Sequence, residues 1–213
     1  MSDRLPIFID FKDRKVVVIG GGSVGERKAV YFKSGDVTVV SPEFTHALED
    51  MGRDGSVKLH RMAAKPEDLH GLIEGAFLVV AATGDPLLNE AIVCEATACG
   101  VLANSATCDA PVIVPSVVRK SGVELAISTG GRSPAMAKFL RKWLEAALGE
   151  DIERMLVLQE RVRGDLKASV PEQRRREAVI QRILEDPDIW DTLEVSPDVA
   201  YEMAMRHVSA EKR

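Results

Sequence analysis

The residues best placed to do chemistry are glycines. Val16-Val17-Val18-Ile19 runs straight into Gly20-Gly21-Gly22-Ser23-Val24-Gly25, an apolar strand followed by a G-x-G-x-x-G turn, and residues 26–30 then read as helix. A turn of this kind holds a dinucleotide by its backbone. Gly20 permits the tight turn, Gly22 lets the chain approach a diphosphate, and Gly25 lets the helix pack closely on the strand. The first N–H groups of the helix, with Ser23 and Val24 at its start, lack intrahelical partners and favour an anion. The strand before and the helix after supply the context the motif requires; the bland alternative is a tight βα turn without a ligand.

The elements that must position this turn are a parallel sheet and its crossover helices. Residues 37–40 form a second strand stopped by Ser41-Pro42, and residues 57–61 form a third after a short helix over 43–51. Phe77-Leu78-Val79-Val80-Ala81-Ala82 is continuously apolar, as in a central strand covered on both faces. Asp85-Pro86 then caps and opens a helix that runs to about Cys99, Gly100 ends it, and residues 101–104 form a fifth strand. This alternation predicts an α/β fold, a Rossmann-like doubly wound parallel sheet. Ligands of such sheets lie beyond the carboxyl ends of the strands, which places Ser41, Pro42, Thr83 and Gly84 among the candidate cofactor contacts. No acidic residue ends the second strand: Ser41 stands there and can bond a ribose hydroxyl. No arginine follows it to meet a 2′-phosphate, which favours NAD over NADP.

Near residue 112 the pattern changes. Residues 112–119 and 123–128 flank Lys120-Ser121-Gly122 and read as a hairpin. Thr129-Gly130-Gly131-Arg132-Ser133-Pro134 follows, with Ser133 as helix cap and Pro134 at the first helical position. In the helix, Met136, Phe139, Leu140, Trp143, Leu144 and Ala147 recur at helical spacing, predicting one buried stripe. Beyond residue 150 only helices are expected, near 150–165, 172–185 and 197–208, separated by Ser169-Val170-Pro171, Pro187 and Ser196-Pro197, with Arg174-Arg175-Arg176 on a solvated face. Three regions result: 1–111, 112–149 and 150–213.

Composition narrows the function classes. The chain has 213 residues, 46% of them hydrophobic, enough for one full domain with a smaller attachment. A net charge of −5 argues against nucleic-acid binding as the main activity. No apolar stretch is long enough to span a membrane and residues 1–10 show no signal peptide, so a cytoplasmic location is expected. Cys94, Cys99 and Cys108 lack C-x-x-C spacing and are expected to be buried thiols. The four scattered histidines offer no helical ligand pair, so no metal centre is expected.

Four segments together are more specific than the glycine turn: residues 18–29, 39–43, 80–89 and 127–135, the last reading Ile-Ser-Thr-Gly-Gly-Arg-Ser-Pro-Ala. In combination they resemble the precorrin-2 dehydrogenase family, the N-terminal module of siroheme synthase, over roughly residues 5–165. The resemblance implies oxidation of precorrin-2 to sirohydrochlorin with NAD, in some members with iron insertion, and here the stand-alone form of the module. It also implies that the hairpin and the helix after it form a homodimer and that the helical C-terminal domain helps to enclose the tetrapyrrole. A polycarboxylate substrate needs a local basic patch, for which Arg132, Lys138, Arg141 and the amides of Gly130 and Gly131 are candidates; the resemblance also implies that Ser133 lies by the tetrapyrrole. Asp109 is the candidate proton acceptor and, were ferrous iron a second substrate, the group to guide it. The family's aspartate lies three positions after the fifth-strand asparagine, where Thr107 stands here; Asp109 is five past Asn104, in a loop about two residues shorter. Two other readings stay open: a nucleotide-sensing Rossmann module without catalysis, and a chelatase with little redox turnover.

Overall fold

The computed structural model describes residues 4–211. The chain divides into two compact units, Leu5–Val114 and the part from Pro115 onward.

The first unit is a five-stranded parallel sheet, ordered β3-β2-β1-β4-β5, built from β1 (Lys15–Ile19), β2 (Asp36–Ser41), β3 (Lys58–Arg61), β4 (Leu78–Ala81) and β5 (Leu102–Ser105). Residues 16–19 of β1 and the whole of β4 read as unbroken apolar runs because both faces are covered there, whereas β3 at the sheet edge is largely exposed. Val16, Val18, Val39, Leu78 and Val80 pack on one face with Ala29 of α1 (Ser23–Tyr31) and Leu48 of α2 (His46–Arg53). Val17, Ile19, Val79 and Ala81 pack on the other with Ile73 of α3 (Leu69–Ile73) and Ile92 of α4 (Pro86–Ala98). Each of these Val, Leu and Ile side chains contributes about 1.5–3 kcal/mol when fully buried. The doubly wound sheet expected from the strand and helix alternation is present, and β1 lies where the strand order reverses, so the turn after it opens at the switch point. Helix α1 begins at Ser23, the expected start. A 3₁₀ turn over Pro66–Asp68 leads into α3, neither of which the apolar pattern predicts.

Val112, Ile113 and Val114 stay with the sheet unit: the Val112 N–H donates to the Ala103 carbonyl at 2.9 Å, and Val112 and Val114 pack on the sheet core. The hairpin therefore starts later than its apolar run, as β6 (Ser116–Lys120) paired antiparallel with β7 (Val123–Ile127). Ser121 and Gly122 both have positive φ, 53° and 72°, the two-residue turn that matches strand twist.

The second unit continues through α5 (Pro134–Ala147) to four helices: α6 (Glu150–Ser169), α7 (Gln173–Glu185), α8 (Pro187–Val195) and α9 (Pro197–Glu211). Their core is regular: Met155, Leu158, Val162 and Leu166 line α6 at helical spacing against Val179, Ile183, Ile189, Leu193, Ala200, Ala204 and Val208. Helix α8 is a correction to the expected tail. Pro187 does not merely separate helices; it opens one, behind Asp186, whose carboxylate accepts from the Asp188 N–H at 3.1 Å. The arginine run is also corrected in part, because Arg176 donates to the Val170 and Pro171 carbonyls at the end of α6 rather than facing solvent. Among the described residues no helix is long and apolar enough to cross a membrane.

Candidate functional site

The glycine turn after β1 is shaped by close backbone contacts. Gly20 has φ of 123°, and a Cβ there would lie 2.2 Å from the Ala82 carbonyl oxygen and 2.9 Å from the Thr83 nitrogen. A Cβ at Gly25 would lie 1.9 Å from the Gly20 carbonyl oxygen. Gly22 is the opposite case: a Cβ there would meet nothing within 4 Å, so the space above this residue is open to a ligand. No side chain caps α1 at Gly22, whereas Thr45, Asp85 and Ser133 cap α2, α4 and α5. The amides of Ser23, Val24 and Gly25 thus sit at a helix start with no side-chain acceptor, beside an open space of the kind a diphosphate fills. These residues fit a dinucleotide.

The other expected cofactor contacts converge on the same edge of the sheet. Ser41 is buried at the end of β2, and its Cβ would be 2.8 Å from a Cβ at Gly21. Pro42 is held by Arg61, which donates to its carbonyl at 3.2 Å. Arg61 is paired in register with Ser41, also pairs with the Glu49 carboxylate, and stacks 4.9 Å over the Phe44 ring. Thr83 and Gly84 follow β4, and Thr83 is fixed by a fully buried residue given no role in the sequence reading. The Asn89 Oδ1 accepts from the Thr83 N–H at 3.0 Å and from its hydroxyl at 2.8 Å, while Asn89 Nδ2 donates to the Thr83 carbonyl at 3.1 Å and to Thr107 Oγ1 at 2.9 Å. One side chain therefore ties the loop after β4 to the loop after β5.

Asp109 lies exposed on that second loop, two residues past Thr107. The loop is folded by Ser105 Oγ, which accepts from the Thr107 and Cys108 N–H groups at 3.2 and 3.1 Å. Asn104 is buried, donates from Nδ2 to the Val112 carbonyl at 2.7 Å, and has an Oδ1 without a partner.

The expected substrate contacts belong to the second unit. Gly130 and Gly131 have φ of 61° and 80°, a turn closed by Thr129 Oγ1, which accepts from the Ser133 N–H at 3.2 Å and donates to its carbonyl at 3.1 Å. Ser133 is the cap of α5, accepting from the Met136 N–H at 3.1 Å. Arg132 donates back to the Thr129 carbonyl at 3.4 Å, Lys138 is exposed, and Arg141 is paired with Glu145 at 2.9 Å. The stripe on α5 is not buried within the chain: Met136, Phe139 and Trp143 are 49, 61 and 59% exposed. The cysteines are also a correction, since Cys94 and Cys99 are exposed and Cys108 is half-buried.

Residues 7–116 match the family model described as putative NAD(P)-binding. A precorrin-2 dehydrogenase of Methanosarcina barkeri is 38% identical over 98% of this chain and 95% of its own length. The chain belongs to the precorrin-2 dehydrogenase family. Siroheme synthase 2 of Yersinia pestis is 37% identical over 81% of this chain, and siroheme synthase of Nitrosococcus oceani 32% over 85%. This member of the precorrin-2 dehydrogenase family spans 37% and 39% of those longer proteins. Its fold is that of a solved structure, SirC, precorrin-2 dehydrogenase, with a TM-score of 0.71 at 22% identity, covering 97% of this chain and all of that one.

Proposed function

We propose that the chain oxidises precorrin-2 to sirohydrochlorin with NAD⁺, in siroheme or related tetrapyrrole synthesis in the cytoplasm. The observation that carries this reading is an end-to-end likeness to a precorrin-2 dehydrogenase on a chain whose α1 start is uncapped and open above Gly22. Bound NAD⁺ supplies the hydride acceptor. The amides of Ser23, Val24 and Gly25 hold its diphosphate, Gly20 and Gly22 let the backbone come close, and Ser41 and Pro42 meet the adenosine ribose. Thr83 and Gly84, fixed by Asn89, line the other half. Ser41, which can bond a ribose hydroxyl, favours NAD⁺, and Arg61, the guanidinium beside the Ser41 turn, is engaged by Glu49 and the Pro42 carbonyl.

Loss of a hydride from the macrocycle must be matched by loss of a proton, and Asp109 takes it. The carboxylates of the substrate are met by Arg132, Lys138, Arg141 and the amides of Gly130 and Gly131, with Ser133 fixing the turn. Ferrous iron is not assigned as a substrate, since Thr107 stands at the family's aspartate position and is bonded to Asn89. The exposed α5 stripe supports a homodimer.

Anaerobic incubation of the purified chain with precorrin-2 tests the reading. It requires NADH and the sirohydrochlorin spectrum to appear together, dependent on NAD⁺ and sharply reduced in Asp109→Ala; absence of both in the unsubstituted chain overturns it.

A further inference from the structure

Glu95 in the last turn of α4 and Cys99, which caps the end of that helix, lie one turn apart, and α3 brings His70 against them. Their donor atoms form a compact triangle: His70 Nδ1 to Glu95 Oε1 is 2.9 Å, Cys99 Sγ to Glu95 Oε1 is 3.5 Å, and Cys99 Sγ to His70 Nδ1 is 3.7 Å. A tetrahedral zinc ion with one sulfur at about 2.3 Å and nitrogen and oxygen at about 2.0–2.1 Å needs sulfur edges of about 3.6 Å and a nitrogen–oxygen edge of about 3.3 Å. Both sulfur edges already match. Only the hydrogen-bonded edge from His70 to Glu95 has to open, by about 0.4 Å.

From this triangle we infer that His70, Glu95 and Cys99 form a Zn²⁺ site, with water completing the tetrahedron. The donor set selects the ion. Thiolate and imidazole discriminate against Mg²⁺ and Ca²⁺, which take oxygen ligands, and Zn²⁺ outcompetes Mn²⁺ and Fe²⁺ at a given nitrogen, oxygen and sulfur site. The fourth position faces solvent, as the His70 side chain is 74% exposed. The Glu74 carboxylate adds negative charge beside Cys99. On binding, the Cys99 thiol gives its proton to the buffer and the zinc–sulfur bond replaces the sulfur–hydrogen bond, with no change of oxidation state.

The site is separate from the nucleotide turn. Helix α4 starts after β4 at the ligand-binding edge of the sheet and runs back, so Cys99 lies at the opposite edge, where Lys15 at the start of β1 donates to the Glu74 carbonyl at 2.6 Å. An ion there joins the α3 segment to the end of α4 and stabilises the sheet unit without taking part in the redox step.

Zinc titration of the chelator-stripped full chain, kept reduced with a phosphine and read against a chromophoric competitor, tests the site. The expected result is one equivalent bound with low-micromolar or tighter affinity, a raised unfolding temperature, and a thiolate-to-metal charge-transfer band when Co²⁺ replaces Zn²⁺. Cys99→Ala must lose that band. Cys99→Ala and His70→Ala must each weaken binding by more than the roughly 10- to 100-fold that removal of an outer-shell partner costs, with their metal-free unfolding temperatures unchanged. Should Cys99→Ala fail to fold, the exposed His70→Ala decides alone. Absence of binding at tenfold excess of Zn²⁺, or equal affinity in variants and parent, overturns the assignment.

Discussion

A Cβ at Gly25 would lie 1.9 Å from the carbonyl oxygen of Gly20, so α1 meets the end of β1 through bare backbone. Neither atom belongs to a flexible side chain that could move aside. Gly25→Ala must therefore push the helix start away from the strand, with a loss of about 1–3 kcal/mol in stability, the usual cost of overpacking. The displaced amides no longer converge on the diphosphate. Calorimetric titration with NAD⁺ should show affinity falling at least tenfold in a variant that still unfolds cooperatively.

Asn89 links Thr83 to Thr107 with all four of its bonds inside the protein. Asn89→Ala strands the Thr83 N–H and carbonyl in a part-buried loop, and about 1–3 kcal/mol should be lost for the unsatisfied groups. Because the same residue sets the loop that carries Asp109, kcat should fall more than NAD⁺ affinity. A steady-state split between kcat and KM for NAD⁺ reads this directly; equal losses in both would assign Asn89 to general stability alone.

Lys28 on α1 has its ammonium pushed down from 10.5 to about 8, first by burial and second by the charge of Arg27. Between these values the unfolded chain binds more protons than the folded one, so stability rises with pH across this window. The cost of burying the charged form is present in full below it. Lys28→Met should stabilise the protein near neutral pH and flatten this rise, which denaturant unfolding at neutral and alkaline pH measures.

Phe139 and Trp143 stand on the α5 face that this chain leaves uncovered. If a second copy covers that face, replacing both with Ser converts a dimer to a monomer in sedimentation velocity, while the far-ultraviolet helix signal is retained. A monomeric parent chain would remove the basis for the homodimer.

The sheet unit and the start of α5 were legible because their determinants are local. Continuous apolar runs mark strands buried on both faces, and Gly20, Asp85 and Ser133 carry turn and cap chemistry that needs no distant partner. What sequence could not convey depends on residues far apart in the chain. Periodicity marks the stripe on α5 as amphipathic but is silent on whether anything covers it. Asn89 is a polar residue in a helical pattern, and only folding brings it to Thr107. Arg61 reaches the Ser41 turn from the neighbouring strand, and His70 meets Glu95 and Cys99 across two helices. Pro187 was legible yet misleading, since a proline that ends one helix is equally suited to begin the next.

The most direct measurement is NAD⁺ binding to Gly22→Asp. Gly22 has φ of −79°, which any residue adopts, and its missing Cβ would touch nothing within 4 Å, so the fold tolerates the change. The new carboxylate can cap α1, adding a few tenths of a kcal/mol to stability, while placing negative charge where the diphosphate must sit. The predicted result is an unchanged or higher unfolding temperature with NAD⁺ binding lost. Undiminished affinity in the folded variant would contradict the placement of the cofactor on this turn.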